Sequence, residues 1–187
     1  MSVVPLLSNH DLVVGGSGML AGLCEALSKE GRTISVLARG RARLGSVAAR
    51  ARNMHPISAD YTVDDDFDRA LRTAILEHGP IERCVCWIHS IAPRAPLIVA
   101  QHVTKVFCHV LGSSAADPSR PELLSNWRDR LSSFGLDYRA AVLGFIRDAG
   151  RSRWLTDEEI CAGVKRALDG RAPITIVGTV VPWEDRP

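Results

Sequence analysis

The feature that most constrains this chain is the run Leu12-Val13-Val14-Gly15-Gly16-Ser17-Gly18-Met19-Leu20-Ala21. A short apolar strand runs into closely spaced glycines and then into a helical stretch. Read from Gly16 it is G-x-G-x-x-A, and read from Gly15 it is G-x-x-G-x-x-A. Glycines permit a tight strand-to-helix turn and remove side chains where a ligand must approach the backbone. The following helix N-terminus then points amides at that ligand, which suits a pyrophosphate. The loop does not end in Gly-Lys-Ser/Thr, because Met19 and Leu20 follow Gly18, which disfavours a P-loop nucleotidase.

The rest of the chain repeats this strand-helix alternation. Strands are expected over 11–14, 33–38, 55–59, 83–88, 106–111, 138–146 and 174–181, several of them continuous apolar runs of the kind buried on both faces of a parallel sheet. Helices are expected over about 19–30, 43–52, 64–78, 122–133 and 156–168, with a short crossover helix near 96–103. Gly31 and the pair Gly79-Pro80 close two of them, and Asp64, Asp65 and Asp66 open another at its positive end. Thr156-Asp157-Glu158-Glu159 reads as a capping box. Seven strands alternating with helices imply an α/β fold with a doubly wound parallel sheet. No repeat or linker divides residues 1–187, so one domain is expected.

Composition excludes some classes. A formal net charge of +2 gives no footing for nucleic acid or an anionic membrane. No apolar run approaches the roughly 18 residues that span a bilayer. The opening 1–7 lacks the basic start of a signal peptide and reads as a tail or an extra edge segment. Five cysteines include a C-x-C at Cys84 and Cys86, but no second pair completes a zinc site, so no metal is expected. Reduced, buried thiols and a cytoplasmic location are the expectation.

The second strand ends Val36-Leu37-Ala38-Arg39, with Arg41 and Arg43 just behind. A carboxylate at this place would serve the ribose 2′-hydroxyl of NAD, whereas a guanidinium can clamp a 2′-phosphate. NADP(H) is therefore the expected cofactor.

Taken together, these residues resemble the short-chain dehydrogenase/reductase superfamily. The resemblance implies a Rossmann-type sheet in the order 3-2-1-4-5-6-7, with the nucleotide at the carboxyl ends of the strands. It implies that Gly15, Gly16, Ser17, Gly18, Met19 and Leu20 hold the pyrophosphate. Arg39 would set NADP preference, and Asp60, with Tyr61 beside it, would contact adenine. The family's Asn-Asn-Ala-Gly corresponds here to Trp87-Ile88-His89-Ser90, which places His89 and Ser90 at the cofactor. The fifth strand ends Leu111-Gly112-Ser113-Ser114, where the family places its catalytic serine, here Ser113. A homodimer or homotetramer acting on a small molecule is likewise implied.

The family's Tyr and the Lys four residues after it are missing. Tyr61 is followed at that spacing by Asp65 and Tyr138 by Val142, and where the catalytic helix should lie stand Trp127, Arg128, Asp129 and Arg130. Strand ends about 4.8 Å apart would let His89 and Ser113 meet, and a histidine can carry a proton near neutral pH. His109, inside its strand, reads as a satisfied core histidine. Arg151, Arg153 and Trp154 read as packing beside the last helix or as pocket lining. Two functions stay open: an NADPH-dependent oxidoreductase using an unusual proton donor, and a catalytically silent NADP(H)-binding sensor or interaction protein. A methyltransferase is disfavoured by Arg39, since that class generally needs a carboxylate there.

Overall fold

The computed structural model describes residues 9–88, 92–148 and 150–187. Its strands are β1 His10–Val14, β2 Thr33–Ala38, β3 Met54–Ser58, β4 Ile81–Cys86, β5 Val103–Leu111, β6 Asp137–Leu143, β7 Phe145–Asp148, β8 Arg151–Trp154 and β9 Ile174–Val177. Its α-helices are α1 Ala21–Lys29, α2 Arg41–Ala48, α3 Asp64–His78, α4 Ala95–Ala100, α5 Glu122–Ser132 and α6 Asp157–Asp169. Seven strands form one sheet in the order β3-β2-β1-β4-β5-β6-β9, every neighbouring pair parallel. This is the expected doubly wound Rossmann-type order, with the seventh position filled by the last strand of the chain.

Because the central strands are covered on both faces, their carboxyl-terminal halves, residues 12–14 in β1 and 84–86 in β4, are apolar and buried. Leu12 and Val14 face one layer and Val13 the other. The first layer holds Phe67, Leu71, Phe107 and Leu131; the second holds Leu23, Leu27, Val164 and Leu168. Helix boundaries follow local chemistry. Gly31, at φ 79°, carries the chain out of α1, and Gly79, at φ 85°, caps α3. The capping box at α6 is formed, with Thr156 accepting from the Glu159 N–H while the Glu159 carboxylate accepts from the Thr156 N–H.

The strand expected over 138–146 is instead broken at Gly144. A Cβ there would run into the carbonyl oxygen of Thr179, so only glycine lets the two backbones meet. Beyond it, Phe145 exchanges backbone hydrogen bonds of 2.9 and 2.8 Å with Thr179, and β7 leaves the sheet to pair antiparallel with β8. Gly178, at φ 77°, ends β9 short of the expected Val181.

At the amino ends of the strands lies a charged network. Asp11, with a side chain only 2% exposed, accepts from Arg32 and from Arg83, each with a 2.6 Å contact. Arg83 also reaches Asp169 at 3.2 Å, and Glu82 joins Lys105 at 2.6 Å. Four of the five cysteines, Cys24, Cys84, Cys86 and Cys108, are buried free thiols, as expected, and Cys161 is half-buried. Among the described residues no helix is long and apolar enough to cross a membrane.

Candidate functional site

The three glycines after β1 do different work. Gly15 has φ 80°, and its N–H donates to the Leu37 carbonyl at 2.8 Å; a Cβ on it would lie 2.7 Å from the Trp87 carbonyl oxygen. Gly16 faces the interior, where a Cβ would meet Val36 Cγ1 at 2.8 Å and Cys24 Sγ at 3.0 Å. The close approach of helix to sheet thus falls at Gly16, whereas Ala21 is half-buried. Gly18 faces open space, with nothing within 4 Å of a Cβ.

No side chain caps α1. Among the described residues no protein acceptor is bonded to the backbone N–H groups of Ser17, Gly18 and Met19. Open amides at the positive end of a helix are an anion-binding arrangement. Leu20 is fully buried in the core, so the loop's ligand-facing surface is Ser17, Gly18 and Met19.

These three residues line a cleft of about 160 Å³ together with Arg39, Arg43 and Tyr61. Among the described residues no acidic side chain lines it. The Arg39 guanidinium lies 4.9 Å from the centre of the buried Tyr61 ring, a cation–π contact that parks the charge at the mouth of the cleft. Asp60, beside it, accepts from the Thr62 N–H at 3.0 Å and the Thr62 hydroxyl at 2.8 Å, which holds its carboxyl below the ordinary range. Asp60 therefore shapes the loop after β3 and does not line the cleft.

Trp87, at the end of β4, lines this cleft and also a second, larger groove of about 480 Å³. The groove lies between the carboxyl ends of β4 and β5 and the start of α5. His109 is almost wholly buried, as expected of a core histidine, and burial drives its pKa down to about 3; that it also lines this groove was not foreseen. Its Nδ1 is 3.4 Å from the Tyr138 hydroxyl, and the Trp127 ring meets it edge to face at 4.9 Å. Trp127 belongs to α5, whose Arg130 guanidinium lies 5.1 Å from the ring centre.

The two serines after β5 diverge. Ser114 lines the groove with His109, whereas Ser113 lines an adjoining cavity of about 240 Å³ with Leu143, Leu155 and Trp154. The half-exposed Trp154 thus borders Ser113, while Arg153 is engaged by Glu159 through two 2.8 Å bonds. His89 and Ser90 lie outside the described residues, as does the opening tail. Neither tyrosine has a lysine beside it: Tyr138 is buried with its pKa pushed up, Lys105 pairs with Glu82, and Lys165 pairs with Glu30 and Asp169. Among the described residues no group of histidines, cysteines and carboxylates could hold a metal ion.

A parallel sheet with reversed strand order and a glycine turn after β1 define an α/β fold of Rossmann type. More narrowly, the chain has the fold of the short-chain dehydrogenase/reductases. An NAD⁺-bound xylitol dehydrogenase superposes with a TM-score of 0.72 at 11% identity, over 91% of this chain and 97% of that one. A 3-ketoacyl-(acyl-carrier-protein) reductase from Brucella melitensis, solved with NADH, gives 0.69 at 15%, over 90% and 96%. A short-chain dehydrogenase/reductase family oxidoreductase from Aeromonas hydrophila gives 0.66 at 21%, over 90% and 95%. No protein-family model and no curated relative matches the chain.

Proposed function

We infer that this chain is an NADP(H)-binding oxidoreductase of the short-chain dehydrogenase/reductase kind, acting on a small molecule. The observation that carries this reading is the cleft where open loop amides and two arginines converge with no carboxylate among its lining residues. The residues fit the cofactor's chemistry. Ser17, Gly18 and Met19 would bind the pyrophosphate through backbone N–H groups. Arg39, steadied on Tyr61, and Arg43 would hold the 2′-phosphate, because two guanidiniums satisfy a dianion that a carboxylate would repel. Two of the solved neighbours named above carry NAD⁺ and NADH, so the preference for the phosphorylated form rests on this chain's own arginines.

A bound nicotinamide supplies or takes up the hydride. Reducing a carbonyl then consumes one proton, delivered to the oxygen. We assign that proton to the hydroxyls after β5 and to His89, with Ser114 on the groove side and Ser113 on the adjoining cavity. His109 holds no spare proton near neutral pH, so its neutral ring shapes the groove floor.

A second reading, a catalytically silent NADP(H)-binding sensor, is favoured by one observation. The α5 residues lining the groove are Leu123 and Trp127, neither of which can supply a transferable proton. Titration with NADPH and NADH, read by tryptophan fluorescence and melting temperature, tests the binding site. Selective NADPH binding is expected, and failure to bind either nucleotide would remove both readings. Substrate-dependent oxidation of NADPH, lost in Ser113→Ala or Ser114→Ala, separates enzyme from sensor.

A further inference from the structure

The larger groove has a chemistry of its own. Trp87, just past the end of β4, and Trp127, on α5, both line it, with Ile88, Pro96, Leu111 and Leu123 contributing further apolar side chains. Its volume, about 480 Å³, falls in the range of small-molecule sites. Among the described lining residues Arg120 alone carries a full charge at neutral pH, since burial keeps His109 neutral.

Among the described residues Arg120 forms no ion pair. The carboxylate that senses it is Asp117, already engaged by the Ser119 N–H at 2.9 Å and the Ser119 hydroxyl at 2.7 Å. Arg120 is exposed, at the rim, so its charge needs no internal partner and is free to meet one that arrives.

Two indole rings favour a flat π-system over an aliphatic chain of equal area. A guanidinium at the edge of an apolar slot favours a carboxylate, which it can grip with two parallel bonds. We propose that the groove between β4, β5 and α5 binds a small planar aromatic carboxylate, its ring between Trp87 and Trp127 and its acid group on Arg120. As the substrate class of the oxidoreductase this rests on the function proposed above; as a ligand site it rests on the groove alone.

The test uses naphthalene-2-carboxylate and its neutral amide as probes, titrated into the full chain with tryptophan fluorescence as readout, beside an NADPH titration of the same protein. Saturable quenching by the carboxylate is expected, with a Kd below about 1 mM, and at least about tenfold weaker binding of the amide. Arg120→Gln, a change at an exposed position, should weaken the carboxylate about tenfold and leave amide and NADPH affinities unchanged. No saturable quenching, equal affinity for acid and amide, or an indifferent Arg120→Gln would each overturn the proposal. If NADPH binds and the carboxylate does not, only this proposal falls. If the carboxylate binds and neither NADPH nor NADH does, the groove assignment stands and the cofactor reading falls.

Discussion

A Cβ on Gly15 would lie 2.7 Å from the carbonyl oxygen of Trp87, so the end of β4 closes directly over the end of β1. Trp87 also lines both the cleft beside the glycine turn and the larger groove. The backbone contact that shapes the glycine turn thus sets the spacing between the two regions.

Gly15 and Gly18 should consequently respond differently to a side chain. Gly15→Val combines a disfavoured positive φ with a backbone clash and should cost more than about 2 kcal/mol of stability. Gly18→Val meets open space, so its melting temperature should stay near wild type while NADPH binding is lost. Thermal melts and nucleotide titration of both variants check this. Retained NADPH affinity in Gly18→Val would show that the loop is merely structural.

Arg39→Asp replaces a guanidinium at the cleft mouth with a carboxylate. NADPH affinity should fall about 100-fold, and NADH affinity should change far less, because only the former carries the 2′-phosphate. Equal losses for the two nucleotides would sink the assignment.

Asp11 joins two arginines beneath the sheet. Asp11→Ala should destabilise the protein by about 3 kcal/mol in urea unfolding, because Arg32 and Arg83 lose their shared, most buried acceptor. Glu82 and Asp169, which also contact these arginines, limit the loss. NADPH binding, at the opposite end of the strands, should survive under native conditions.

Histidines make the fold acid-sensitive. Burial lowers the pKa values of His109, to about 3, and of His10 and His55 below the ordinary 6.5. His10 Nδ1 donates to the Gly79 carbonyl and its Nε2 accepts from the Ser35 hydroxyl, and His78 packs against both His10 and His55, with Asp11 and Glu77 the carboxylates nearby. A lowered folded-state pKa means that the unfolded chain protonates first. Stability is therefore complete above pH 6.5 and drains away as the pH falls below it. His109 alone contributes a slope of up to about 1.4 kcal/mol per pH unit. Urea midpoints between pH 7.5 and 5 should decline, and His109→Gln should flatten the decline. A pH-independent midpoint would contradict the neutral buried rings.

Much of the fold was legible because its signals are local. The glycine turn, the apolar runs of β4 and β5, the acidic start of α3 and the Thr156 capping box each depend on residues within a few positions of one another. The break at Gly144 was not legible. The obstacle that demands glycine is the Thr179 backbone, thirty-five positions away in sequence, and a continuous apolar run from Ala140 to Ile146 passes straight through the break.

The site divides in the same way. By itself the sequence determined the glycine turn after β1 and the arginine at the end of β2, since a tight turn needs glycine wherever it occurs and Arg39 carries its charge in any setting. Only the tertiary structure decided that His109 lines a groove, that Ser113 and Ser114 face different cavities, and that Trp87 belongs to two sites. Those properties depend on which strand and helix lie alongside, and burial and the facing of a side chain are set by partners distant along the chain.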